Sequence, residues 1–174
     1  MKKKKKKLSI IYGSDSGSTE KIAFMIAKKI GIKDKLVVNV ANATEKNFIG
    51  YKTLILAVST WYIGDLQNDW DDFFDKFEKI NFKGIKVGLV GLGDQHGYAY
   101  NFVDGIGILA EVIIKNGGEI IGYWPTKGYN FEESLGIAKN RLFYGLAIDE
   151  DNQADLTEDR VSEWVLKIKK EINF

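Results

Sequence analysis

The chain alternates between short runs of apolar, mostly branched residues and longer segments in which apolar positions recur every three or four residues. Runs at residues 8–12, 36–40, 53–58 and 87–90 read as strands, and a fifth begins at Glu119 and reaches Tyr123. Ile22, Ala23, Ile26, Ala27 and Ile30 share one helical face that stops at Gly31, with Thr19 as the expected cap. Phe73, Phe74, Phe77 and Ile80 make a second stripe, and Phe102, Ile106, Leu109, Ala110 and Ile113 a third, closed by Gly117 and Gly118. A final helix carries Val161, Trp164, Val165, Ile168 and Ile172. Thr157 is its expected cap, Glu158 and Asp159 suit its positive end, and Lys167, Lys169 and Lys170 lie nearer its negative end. Residues 43–51, short and containing Gly50, predict one or two turns.

Strands separated by helices require a mostly parallel sheet covered on both faces, because parallel neighbours need long crossovers. The expected architecture is therefore three-layer α/β, a single domain over residues 1–174 with no linker and no internal repeat. Residues 124–147 fit neither pattern, since Pro125, Gly128 and Gly136 interrupt them before a second apolar stretch at 145–148. They read as an excursion in which Asn130 and Glu133 cap a short helical turn and Phe131, Leu142, Phe143 and Tyr144 cover an edge of the sheet.

Composition acts mainly by exclusion. With no cysteine, the chain has no disulfide, thiol nucleophile, thiolate zinc site or cysteine-held iron–sulfur cluster. A single histidine, His96, builds no imidazole-rich metal site, so any metal would need oxygen ligands, and no metal-binding residue is identified. No run approaches the roughly 18 apolar residues of a membrane span. The net charge of +1 hides an asymmetry: Lys2 to Lys7 supply six positive charges, and the rest has 19 basic against 24 acidic residues, a body of −5. The lysine arm reads as a solvated lead into the first strand, with no nucleic acid or membrane as partner. The apolar residues after it are too few for a signal-peptide core, so a cytoplasmic location is expected.

In an open parallel sheet, ligands occupy the crevice beyond the carboxyl ends of the strands, where strand order reverses. After the first strand comes Gly13-Ser14-Asp15-Ser16-Gly17-Ser18-Thr19, four hydroxyls among glycines directly before a helix. Backbone N–H groups, the helix N-terminus and the hydroxyls there can converge on a phosphate. The loop lacks the lysine of a nucleotide-hydrolysing loop and the spaced glycines of a dinucleotide fingerprint; ordinary turn chemistry also accounts for it. The third strand ends at Ser59-Thr60-Trp61-Tyr62-Ile63-Gly64-Asp65 and the fourth at Gly91-Leu92-Gly93-Asp94-Gln95-His96-Gly97-Tyr98. Each places aromatics where solvent is expected. Beside a phosphate cradle, they suggest a planar conjugated ring held between aromatic faces. Asp65, Asp69, Asp71, Asp72 and Asp75 add an acidic surface that disfavours an anionic reduced ligand and attracts basic partners. No nucleophile–histidine pair or phosphoryl-transfer set is assembled.

Ser14-Asp15-Ser16-Gly17-Ser18-Thr19, Thr60-Trp61-Tyr62-Ile63-Gly64 and Gly93-Asp94-Gln95 through Tyr98, in this order and spacing, resemble the flavodoxin family over nearly the whole chain. Asp69-Trp70-Asp71-Asp72-Phe73 and Gly145-Leu146-Ala147-Ile148-Asp149-Glu150-Asp151 extend the likeness, and the excursion at about 124–147 is similar to the insertion that marks the long-chain bacterial type. The resemblance implies a five-stranded parallel sheet of order 2-1-3-4-5 and one noncovalently bound flavin mononucleotide (FMN). It implies that Ser14, Asp15, Ser16, Gly17, Ser18 and Thr19 surround the phosphate, that Trp61 and Tyr98 flank the ring, and that Thr60, Gly93 and Asp94 lie near the ribityl chain or ring. The movable peptide, whose carbonyl accepts a proton from the ring's N5 on one-electron reduction, falls at Tyr62-Ile63 beside Gly64.

The implied role is a low-potential one-electron carrier rather than an enzyme, a monomer shuttling electrons from a flavodoxin reductase to electron-accepting redox enzymes through transient contacts of its acidic surface. The alternative on the same fold is a small FMN-dependent quinone or nitro reductase. A phosphoacceptor module would need an acidic cluster after the first strand and an aspartate ending the third, where this chain has Gly13-Ser14 and Ser59-Thr60. Two features depart from the family pattern: the near-neutral total charge, and Ser59 where a proline commonly precedes Thr60. His96, near the expected ring edge, would ease repulsion of the anionic reduced flavin when it charges.

Overall fold

The computed structural model describes residues 6–174. The first strand, β1 (Lys6–Tyr12), leads into α1 (Ser18–Ile30), then β2 (Val37–Asn39), α2 (Glu45–Ile49), β3 (Tyr51–Trp61), a two-residue strand β4 (Asp65–Leu66) and α3 (Asn68–Phe77). The chain continues through β5 (Lys86–Leu92), α4 (Asp104–Lys115), β6 (Glu119–Ile121), β7 (Gly145–Ile148) and α5 (Thr157–Ile172). Lys6 and Lys7 thus belong to β1, and the earlier lysines of the arm lie outside the described residues.

The parallel ladder runs β2-β1-β3-β5, and the next position is shared by two strands. Lys86, Val87 and Gly88 of β5 pair with Glu119, Ile120 and Ile121 of β6. Leu89 to Leu92 of the same strand pair with Gly145 to Ile148 of β7. One edge strand has therefore been cut in two, and with its halves taken together the sheet has the order 2-1-3-4-5. The hairpin strand β4 adds antiparallel to the end of β3. Leu54, Ile55, Leu56, Ala57 and Val58 are all fully buried along β3, as a parallel strand covered on both faces must be.

The cut is made at Gly122, which sits at a φ of 73°. Its carbonyl accepts the Trp164 indole N–H at 2.7 Å, and its own N–H donates to Glu171 Oε2 at 2.9 Å. Helix α5 thereby holds the chain where it leaves the sheet. Residues 122–144 then fold over Phe102, whose ring lies 5.4–5.9 Å from those of Tyr129, Phe131 and Phe143. Residues 145–147, expected at the end of this excursion, belong to β7.

Several local expectations are corrected. Gly17, at a φ of 91°, caps α1, whereas Thr19 is buried inside its first turn. Thr157 is the first residue of α5 and its hydroxyl donates to Glu150 Oε1 instead of capping the helix. No helical turn forms at Asn130–Glu133; the Glu132 and Glu133 N–H groups donate to the Ala99 carbonyl at 2.8 and 3.0 Å, pinning this segment to the 90s loop. The helical stripes overran their helices at Phe102 and Ile80, which are buried outside α4 and α3. The short helix α2 has the Thr44–Asn47 capping box that its Thr-x-x-Asn spacing permits.

Candidate functional site

At the carboxyl end of the sheet, three loops enclose a cleft of about 300 Å³ lined by Ser16, Ser18, Thr19, Thr60, Trp61 and Tyr62, and by Gly93, Asp94 and Tyr98. Ser59, Leu92, Glu150 and Asp151 complete the lining. Ser14, Asp15, Gly17, Ile63 and Gly64, also expected at the site, are not among the residues lining this cleft but belong to the same loops.

The first loop is a tight turn. The Gly17 N–H donates to Ser14 Oγ at 3.0 Å, so Ser14 shapes the loop internally. Ser16 Oγ and Ser18 Oγ lie 3.4 Å apart at the N-terminus of a thirteen-residue helix. A Cβ placed on Gly17 meets nothing within 4 Å, so its backbone is open to approach. Residues 13–19 contain no cation, and the donor set is hydroxyls and backbone N–H groups. That chemistry fits a phosphate held by neutral donors at a helix N-terminus. The one charged residue of the loop, Asp15, turns its carboxylate to the Gln67 amide at 3.0 Å and lines an adjacent cleft with Trp61, Asp65 and Asp71.

The second loop is braced where it leaves β3. The Thr60 hydroxyl accepts the Gly105 N–H of α4 at 2.9 Å, and the Trp61 indole N–H donates to Ser59 Oγ at 3.1 Å. Ser59, standing where a proline is common, thus orients the tryptophan ring. The turn beyond it places Tyr62 at a φ of 47° and Gly64 at 98°, closed by the Gly64 N–H donating to the Trp61 carbonyl at 3.2 Å. Ile63 at the tip is 81 % exposed. Gly64 packs on α4: a Cβ there would stand 2.9 Å from Asp104 Oδ2 and 3.0 Å from Asn101 Nδ2.

The third loop turns on two aspartates. Asp94 Oδ1 accepts the Gly97 N–H at 2.7 Å, the Asn152 amide at 2.8 Å and the His96 N–H at 3.0 Å. Partial burial works to raise its pKa, but these donors together hold it below the usual carboxylate value. Asp149, fully buried at the end of β7, accepts from the Gln95 amide at 2.6 Å and from Asn152 at 2.9 Å. Asp151 faces the same cleft, and burial, reinforced by the charges of Asp94, Asp149 and Glu150, pushes its pKa up. The exposed His96 joins this loop through its backbone, and its ring is not part of the lining.

Asp149, Glu150 and Asp151 belong to a run that carries the family likeness, but their place at the cleft, like that of Asn152 and Gln67, is not expected from the sequence. The strand-ending run Ile148-Asp149-Glu150-Asp151-Asn152 was the available signal for residues 149–152. For Gln67, only a glutamine between a strand and an acidic helix start marked the place. Among the described residues, no helix is long and apolar enough to cross a membrane.

A family model described as flavodoxin matches residues 10–164. Flavodoxin 1 of Salmonella typhimurium is 46 % identical over 164 residues, covering 94 % of this chain and 93 % of its own. The flavodoxin of Synechocystis sp. is 47 % identical over 165 residues, covering 94 % and 96 %. Among solved structures, the Fusobacterium nucleatum flavodoxin bound to flavin mononucleotide superposes with a TM-score of 0.88 at 36 % identity, covering 95 % of this chain and 98 % of that one. With three loops meeting over one cleft, the split edge strand and these relatives of matching length, the chain belongs to the flavodoxin family.

Proposed function

We propose that the cleft holds FMN without a covalent bond and that the chain is a low-potential one-electron carrier. The observation that carries this reading is a cation-free, hydroxyl-lined helix N-terminus opening onto the same cleft as Trp61 and Tyr98. Bound FMN supplies reversible one-electron chemistry; the protein binds it, shields it and sets its energetics.

Ser16, Ser18 and Thr19 take the phosphate with the α1 N-terminus, and Ser14 and Gly17 keep the loop in shape. Because the donors are neutral, the phosphate keeps its charge. Asp94, Glu150 and Asp151 add negative charge around the cleft, so placing a further electron on its occupant is opposed electrostatically. Trp61 and Tyr98 present aromatic faces, and the Tyr62-Ile63 peptide stands in the exposed turn between Trp61 and Gly64, where a change in its orientation would answer a change in the ring. Asp65 and Asp71 line a cleft with Trp61 and Tyr62 of that turn, and Asp72 and Asp75 are exposed further along α3. They form the acidic surface on which a reductase and acceptor enzymes dock transiently, the chain itself working as a cytoplasmic monomer.

The test is rebinding. Protein stripped of flavin and offered FMN should quench its fluorescence at one equivalent, and reductive titration of the complex should resolve two one-electron steps, the second at much lower potential. Folded protein that neither quenches nor retains FMN sinks the reading. Steady NAD(P)H oxidation by the purified protein alone would instead make it a small reductase.

A further inference from the structure

Gln67 is fully buried, although it stands between an exposed hairpin and an acidic helix start, and both ends of its amide are engaged. Oε1 accepts the Trp70 N–H at 3.3 Å, capping α3. Nε2 donates to Asp15 Oδ1 and to Asp69 Oδ2, each at 3.0 Å. Its backbone N–H donates to the Ser59 carbonyl at 3.2 Å. The side chain also lies against the first residue of the loop after β1, since a Cβ on Gly13 would stand 2.0 Å from Gln67 Oε1. The side-chain amide therefore touches that loop at its first and third residues and the first turn of α3, while the backbone of the same residue is tied to β3.

Resting on the FMN reading above, we infer that Gln67 is a positioning residue for phosphate recognition, acting by holding the Asp15 carboxylate out of the phosphate site. Asp15 is the single charged residue of the loop 13–19, and a free carboxylate beside a dianionic phosphate opposes binding. The amide gives that carboxylate a donor on the far side of the loop, toward the cleft it shares with Asp65 and Asp71. Few side chains can do this. The position must accept from Trp70 and donate to two aspartates at once, which an amide does, whereas a glutamate donates to neither and a methionine offers no donor.

The inference is tested on flavin-stripped protein by measuring dissociation constants for FMN and for riboflavin, which lacks the phosphate. Wild type, Gln67→Glu, Gln67→Met, and Gln67→Met combined with Asp15→Ala are compared. In both single variants FMN affinity should fall about tenfold or more while riboflavin affinity changes less than threefold. In the combined variant, with no carboxylate left to restrain, the FMN-to-riboflavin ratio should return toward wild type. If the glutamate variant does not fold, the two methionine variants decide between the outcomes. An unchanged ratio, or equal losses for both flavins, overturns the role of Gln67 and leaves the FMN reading standing; wild type that binds neither flavin removes the FMN reading itself.

Discussion

The buried carboxylate of Asp104 accepts the backbone N–H of Leu135 at 2.7 Å, joining the first residue of α4 to the segment that interrupts the edge strand. Its other oxygen accepts from Asn101 Nδ2 at 2.9 Å and lies against Gly64. One side chain thus connects the inserted segment, the start of α4 and the turn beyond Trp61.

Asp104→Ala removes two acceptors at once and leaves the Leu135 N–H without its partner. A donor stranded in this way costs about 1–3 kcal/mol. Urea unfolding should register a loss of that size, and hydrogen exchange at the Leu135 amide should accelerate more than at amides in β1. A stability change below about 0.5 kcal/mol with unchanged exchange would show that the insertion is held elsewhere.

Tyr129 fastens the same segment to β7. Its hydroxyl donates to the Ala147 carbonyl at 2.7 Å and accepts the Trp124 indole N–H at 2.8 Å. Burial, only partly opposed by the Arg160 guanidinium 4.1 Å from the ring, pushes its pKa up to about 12. A raised folded value means the protonated phenol stabilises the fold. That stabilisation is complete below the ordinary phenol value of about 10 and is lost as pH rises toward 12. Tyr129→Phe should lower stability at neutral pH by about 1–3 kcal/mol and flatten the alkaline limb between those values. Chemical denaturation at a series of pH values reads both effects, and an alkaline limb of wild-type shape in the variant would contradict the assignment.

The cleft aspartates should respond to acid in opposite directions. Asp94 has a depressed folded pKa, so its stabilisation is present above the unfolded value and disappears as pH falls through the folded one. Asp151 has a raised folded pKa, so its charge opposes folding once pH climbs past the unfolded value. In the flavin-free protein, Asp94→Ala should therefore be less stable than wild type at pH 7 and Asp151→Asn more stable. The Asp151 difference should vanish below the unfolded carboxylate value, whereas the part of the Asp94 difference that comes from its charge should begin to shrink there and disappear only below the lower folded value. Denaturant midpoints measured from pH 3 to 7 test the signs, and two variants shifting the same way at pH 7 would refute the electrostatic account.

The layers of this fold are legible because the main parallel strands carry short, mostly branched apolar runs and the long helices an apolar stripe, and both patterns follow from burial. Where burial persists without the element, the pattern misleads: Phe102 and Ile80 are as buried as their helical neighbours but lie in loops. The caps were misread because hydroxyl residues also serve elsewhere, with Gly17 taking the place of Thr19 by virtue of its positive φ and Thr157 spent on Glu150. The loop residues around the cleft were readable from their clustering after strands. Gln67 and Asp149 leave only a faint local mark, because the contacts that give each its place at the site, to Asp15 and to Gln95, span sequence separations of 52 and 54 residues.

Gly107 gives the sharpest steric prediction. In a helix interior, alanine ordinarily improves on glycine by up to about 1 kcal/mol. Here a Cβ would stand 2.0 Å from the Leu135 carbonyl oxygen and 2.4 Å from its carbon, and backbone cannot turn aside as a side-chain end can. Gly107→Ala must push the inserted segment off α4, which strains the Asp104–Leu135 contact or breaks it. Overpacking of this kind costs about 1–3 kcal/mol, so the substitution should destabilise against its helical propensity. Glu111→Ala, one turn along the same helix and exposed, should stay within about 0.5 kcal/mol of wild type. Urea midpoints of the two variants decide the point: a Gly107→Ala protein as stable as wild type would mean that the segment 122–144 does not rest on α4 in solution.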